Sequence, residues 1–240
     1  MKSNLRVHIS PVGFEVNRVT EPLMRERADK VYLVLHSKDD KATKYVDKIL
    51  KMLSRRNQFL KIEKRTTDIW DLFECLNTYK KIIKEESSNH IFINVSTGSK
   101  IAAIAGTLAC MIWKGTPYYA HEDYMGKTDS DGLPNENITE IKELPVYSIN
   151  KPKQESLEVL RILANSKEKR LRKSDLIEEL ENAGLIGRSL RIAAKHSRLR
   201  GLLNPISVGL ENPLIEVEYK GRQSKVAVTP QGESTLKIFG

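Results

Sequence analysis

The chain has 240 residues, 40% of them apolar, enough for one large or two ordinary domains with a packed core. Its net charge is +9, from 40 basic and 31 acidic residues. That excess suggests nucleic acid or another polyanion as a partner, although many ordinary soluble proteins are as basic. The only cysteines, Cys75 and Cys110, support neither a zinc site nor a redox pair and read as buried free thiols in a reducing compartment. The apolar run from Ile101 to Trp113 is too short to span a bilayer, and the N-terminus does not read as a signal peptide. The expectation is a cytoplasmic protein with no membrane partner.

Leu5-Arg6-Val7-His8-Ile9 alternates and reads as a first strand, followed by the turn Ser10-Pro11-Val12-Gly13 and a helix from Val16 to Ala28. Val31 to Leu35 is apolar throughout, as in a parallel strand covered on both faces. Ala42 to Leu53 carries Tyr45, Val46, Ile49, Leu50 and Leu53 on one side of a helix. A weaker strand spans Phe59 to Lys64, and Asp68 is placed to cap the helix after it. Then come a strand at Ile91 to Val95, a helix from Lys100 to Trp113 and a strand at Pro117 to Ala120. This alternation predicts an α/β, Rossmann-like, mostly parallel sheet. The polar segment from His121 to Asn137 reads as a long loop, a lid over a ligand site. Ile138 to Leu144 and Val146 to Ile149 read as short closing strands, and Asn150-Lys151-Pro152-Lys153 as a linker.

Beyond the linker, Ser156 to Ala164 reads as a helix, Ser174 as the N-cap of a second, and Gly187-Arg188-Ser189 as the opening of a third. Leu214 to Tyr219 and Lys225 to Val228 form a hairpin around Gly221, and Thr229-Pro230 starts a last helix. Three helices followed by a hairpin is the order of a winged helix-turn-helix. The expected division is residues 1–150, a Rossmann-like ligand-binding and dimerisation domain, and residues 151–240, a winged helix-turn-helix domain that binds double-stranded DNA.

Two sets of residues carry candidate chemistry. At the turn Thr97-Gly98-Ser99-Lys100, free backbone N–H groups and the helix dipole favour an anion. Thr97 and Ser99 add hydroxyls, Lys100 a charge, and Gly98 permits close backbone approach. The turn therefore reads as a phosphate site; the alternative is that Thr97 or Ser99 only caps the helix. In the third C-terminal helix, Arg188, Arg191, Lys195 and Arg198 fall on one face at about 100° per residue. With Lys220 and Arg222 at the hairpin tip, they are the candidate DNA contacts; the alternative is a solvated charged face. Neither a dinucleotide fingerprint nor a P-loop is present, which argues against a nicotinamide dehydrogenase and an ATPase. The five histidines show no metal spacing, and neither a metal nor a cofactor is expected.

A Rossmann-like domain with the motifs VHISPVG after its first strand and NVSTGSK after its fourth, joined to a winged helix, resembles the CRISPR-associated Rossmann fold (CARF) family in its archaeal transcription-regulator form. The resemblance implies a homodimer with one two-fold pocket for a cyclic oligoadenylate. It places Ser10, Pro11, Gly13, Thr97, Gly98, Ser99 and Lys100 along that pocket. It implies a ligand-responsive transcription regulator. The alternative it carries is a metal-independent ring nuclease, in which Ser10 would position a ribose hydroxyl and Lys100 would stabilise developing charge. Ser99 stands where many relatives have a second glycine.

Overall fold

The computed structural model describes residues 4–38, 42–128, 134–218 and 224–240, and the chain divides into two compact units, Met1–Asn150 and Lys151–Gly240. In the first unit, β1 (Arg6–Pro11), α1 (Val16–Arg25), β2 (Lys30–His36), α2 (Thr43–Arg56), β3 (Lys61–Thr67), α3 (Leu72–Glu85), β4 (His90–Asn94), α4 (Lys100–Trp113), β5 (Thr116–Thr128) and β6 (Pro134–Glu143) follow in order. They form one six-stranded sheet, β3-β2-β1-β4-β5-β6, parallel except for β6. The central strands β1, β2 and β4 are largely buried because helices cover both faces. On one face, Val19 and Leu23 of α1 and Ile49 and Leu53 of α2 pack with Val31 and Leu33. On the other, α3 buries Leu76, Tyr79 and Ile82, and packs against α4.

The small residues of α4 have a packing role. Ala102, Ala105, Gly106 and Ala109 are buried, and a Cβ on Gly106 would come within 2.8 Å of Ile93 Cγ2. The helix therefore lies closer to β4 than one of larger side chains could. The N-cap of α3 is Asp71, not Asp68: its Oδ1 accepts from the N–H groups of Phe73 (2.8 Å) and Glu74 (2.9 Å). Asp68 instead accepts from Trp70 N at 2.9 Å and shapes the preceding turn.

The expected polar lid is not a loop where it is described. β5 continues to Thr128 and pairs antiparallel with β6, from Tyr118↔Glu143 to Thr128↔Pro134. Residues 129–133 at its tip lie outside the described residues. The backbone ladder supplies the hydrogen bonds, so no apolar alternation was needed to form it. Ile138 to Leu144 falls within β6 and the residue after it, and residues 146–149 are not a strand.

Helix α1 contains Pro22, which has no N–H for the carbonyl of Arg18. Asn94 Nδ2 donates to that carbonyl instead, at 2.8 Å. Asn94 Oδ1 accepts from Ser96 N (3.0 Å) and Ser96 Oγ (2.5 Å). One side chain at the end of β4 thus ties a helix on the sheet face to the turn that follows.

The second unit comprises α5 (Gln154–Asn165), β7 (Arg170–Arg172), α6 (Lys173–Asn182), α7 (Ile192–Leu203), a 3-10 turn (Asn204–Ile206), β8 (Ile215–Glu218), β9 (Lys225–Val228) and α8 (Pro230–Phe239). Leu160, Leu163, Leu176, Leu180, Leu199 and Val226 share its core. The small sheet has the order β7-β9-β8, with both pairs antiparallel. This is the winged helix expected from the element order, with two local differences. Ser174 is not an N-cap, since α6 starts at Lys173 and the Ser174 hydroxyl donates to Asp175 Oδ1 at 2.8 Å. The third helix starts at Ile192 rather than at Gly187, with Arg191 in extended conformation at its N-cap.

Candidate functional site

Strand order reverses between β1 and β4, with α1 and α2 on one side and α3 and α4 on the other. In open parallel sheets the crevice at the carboxyl ends of such strands is where ligands bind. Here those strand ends continue into residues 12–15 after β1 and residues 95–99 after β4. The two turns touch through backbone. Gly98 has φ +76°, a left-handed conformation, and a Cβ there would stand 2.6 Å from Pro11 Cβ. A Cβ on Gly13 would stand 2.9 Å from Gly98 N. Both positions therefore require glycine for close approach.

The hydroxyls of the turn serve the protein itself. Thr97 Oγ1 donates to the Pro11 carbonyl at 2.6 Å, and the residue is buried. Ser99 is the N-cap of α4: its Oγ accepts from Ala102 N at 2.9 Å and donates to the Ile69 carbonyl. For Ser99 the helix-cap alternative thus describes what the side chain does. Ser10 is fully buried, its hydroxyl without a hydrogen-bond partner among the described residues, and Pro11 is buried with it. Of the seven residues proposed from the sequence, Lys100 is the exposed one, and Gly98 is half-buried. The turn's capacity for an anion therefore rests on its backbone, on the dipole of α4 and on Lys100.

Two charged residues at the crevice carried no sequence signal. Arg18, on α1, donates to the Ser96 carbonyl at 3.1 Å and pairs with Glu122 at 2.6 Å, and both side chains are mostly buried. Glu15 leans over the two-glycine contact. Its Oε2 and Gly98 N lie 2.6 Å and 2.9 Å from the same point, where a Gly13 Cβ would be. That oxygen is buried and has no hydrogen-bond partner among the described residues. The crevice thus holds a carboxylate beside backbone suited to anions.

Beneath the crevice, His8 is fully buried, stacked on Phe92 with centroids 4.9 Å apart and 3.3 Å from the Tyr118 hydroxyl. Burial, with a smaller contribution from Arg6, lowers its pKa to about 3, so the imidazole is neutral near pH 7. Burial pushes both thiols up to about 12, which keeps Cys75 and Cys110 protonated and unreactive. Among the described residues no cluster of His, Cys, Asp and Glu could hold a metal ion, and no helix is long and apolar enough to cross a membrane.

In the second unit the predicted basic stripe is divided. Arg188 and Arg191 precede α7 and are exposed, with Arg188 Nη2 donating to Asn182 Oδ1 at 2.8 Å. Lys195 lies on the inner flank of α7, paired with Glu181 of α6 at 2.5 Å, its side chain 20% exposed. Arg198 pairs with Glu155 of α5 at 2.6 Å, but both side chains are nearly half exposed, so the pair holds weakly. With Leu199, Leu202 and Leu203 buried, the outward face of α7 presents Ala193, His196, Ser197 and Arg200. A groove of about 300 Å³ runs beside that face, lined by Lys173, His196, Arg200, Asn204 and Ser207 over an apolar floor that includes Leu199 and Val217. Lys220 and Arg222 lie outside the described residues.

Residues 6–124 match the family described as HFX_2341_N-like, N-terminal, and residues 155–240 the DUF6293 C-terminal winged helix domain. The chain is 38% identical over 152 residues to the uncharacterized protein MJ1513 of Methanocaldococcus jannaschii, an alignment covering 57% of this chain. It spans 43% of that relative's length. Among solved structures, Can2 of Sulfobacillus thermosulfidooxidans in complex with cyclic tetra-adenylate is similar, with TM-score 0.43 and 13% identity, over 97% of this chain and 63% of that one. Enterococcus italicus Csm6 bound to cyclic hexa-2'-fluoro-hexa-dAMP is similar with TM-score 0.41 and 15% identity, over 49% of this chain and 33% of that one.

Proposed function

We propose that this chain, an HFX_2341_N-like domain followed by a DUF6293 winged helix domain, is a ligand-responsive DNA-binding transcription regulator. The first unit binds a phosphate-bearing ligand, a cyclic oligoadenylate, at the crevice between β1 and β4, in a homodimer. The second binds double-stranded DNA through α7 and the hairpin. The observation that supports this reading is the joining of a winged helix to a sheet whose β1 and β4 turns are packed closely through two glycines, with Lys100 exposed at the start of the following helix. Binding of either ligand changes affinity for the other by the same factor.

Calorimetry with cyclic tetra-adenylate and fluorescence anisotropy with a DNA duplex test the two sites separately. Lys100→Ala weakens ligand binding and leaves DNA affinity in the absence of ligand unchanged. Equal loss of both in a folded variant would refute the two-site reading.

The ring-nuclease alternative needs the Ser10 hydroxyl at the ligand, and that residue is fully buried. This favours the sensor over the enzyme. Labelled cyclic tetra-adenylate incubated in EDTA stays intact on the sensor reading and becomes linear on the other.

A further inference from the structure

Two aromatic rings stand in water on the strand-end turns: Phe14, 49% exposed, and Trp70, 64% exposed. Phe14 rests edge-on against Tyr45, with centroids 5.6 Å apart, so part of its ring is already used. Trp70 is the more open of the two, and its backbone is held in place. Its N–H donates to Asp68 Oδ1 at 2.9 Å, and the next residue, Asp71, caps α3. The carbonyl of Ile69, one peptide before it, accepts the Ser99 hydroxyl. Ser99 in turn precedes Lys100. A rigid turn thus sets an exposed indole on a loop bonded directly to the start of α4.

An exposed indole gains little for the fold, whereas a planar π surface on a turn hydrogen-bonded to the N-cap of a helix that opens with an exposed lysine suits a nucleobase attached to a phosphate. We propose that Trp70 is a stacking platform for a base of the ligand, with Lys100 and the α4 terminus taking the adjoining phosphate. The proposal rests on the ligand reading above and adds to it what discriminates a nucleotide from a bare polyphosphate.

The chain has two tryptophans, Trp70 and Trp113, so emission can be assigned by substitution. The full chain is titrated with cyclic tetra-adenylate, and emission and calorimetric affinity are both recorded. Trp113→Phe keeps the ligand-induced quenching; Trp70→Phe loses it and stays within about threefold in affinity, because a ring remains. Trp70→Ala weakens binding by about 5- to 150-fold, the range for stacking one base. Tripolyphosphate, which has no base, binds wild type and Trp70→Ala alike.

Unchanged affinity of Trp70→Ala, or absence of quenching in Trp113→Phe, overturns the stacking role while Lys100-dependent binding leaves the ligand reading intact. No calorimetric binding of cyclic tetra-adenylate to wild type overturns that reading, and the platform falls with it.

Discussion

Replacing Gly98 with Ala tests whether the two turns are in the contact described. Two costs add. A non-glycine residue in left-handed conformation costs about 1–2 kcal/mol, and Gly98 has φ +76°. The new methyl would also stand 2.6 Å from Pro11 Cβ, on a stiff ring. Relieving such an overlap in a packed site costs a further 1–3 kcal/mol or so. The sum is about 2–5 kcal/mol, or roughly 1–2.5 M off the urea midpoint at a slope of about 2 kcal/mol per M. Both tryptophans lie within residues 1–150, so their emission follows the first unit alone. Gly184→Ala is the internal control: φ there is +74°, with nothing within 4 Å of the added methyl. It bears only the conformational cost, about 1–2 kcal/mol, in the unit without tryptophan, and leaves the tryptophan-detected transition where it was. Gly98→Asn relieves part of the backbone cost but not the overlap, and falls near Gly98→Ala. A midpoint shift for Gly98→Ala below about 0.3 M, which is about 0.6 kcal/mol at the same slope, would refute the close approach.

Two further outcomes are expected. Arg200→Ala lowers the slope of log affinity for DNA against log salt by about 0.9, one phosphate contact, whereas Lys195→Ala leaves the slope unchanged and instead destabilises the second unit; equal slopes for the two would show that the outward face of α7 is wrongly assigned. His8 binds a proton near pH 3 when folded and near pH 6.5 when unfolded. Its contribution to stability is therefore complete above pH 6.5 and is lost as pH falls toward 3, by up to about 1.4 kcal/mol per unit. Urea titrations at pH 7, 5.5 and 4.5 read this slope, and His8→Gln should flatten it.

The parallel sheet was legible because its central strands are buried on both faces, and Val31 to Leu35 could be little else. The β5–β6 hairpin was not. Its polar residues have no apolar rhythm, and Glu122 is anchored by Arg18, over a hundred residues away in sequence. At the turn after β4, residue types predicted donors, but not that Thr97 and Ser99 spend theirs on Pro11 and Ile69. Those acceptors belong to turns distant in sequence, which no spacing reveals. On α7 the signal was present and outweighed. Lys195 stands four residues before Leu199 and so on the core side, but a basic stripe at helical spacing obscured that. Only the position of Glu181 on α6 shows why a lysine is tolerated there.

The bond that Pro22 denies to α1 and Asn94 supplies has a mechanical consequence. Elsewhere in a helix such a bond is internal, and the helix can shift as a body without losing it. Here the missing rung is lent by a residue that also holds the turn after β4. Any rearrangement of residues 95–99 that draws Asn94 away breaks its bond to the Arg18 carbonyl, so turn and helix respond together. A disturbance felt by one backbone loop is thereby handed to a ten-residue lever on the face of the sheet.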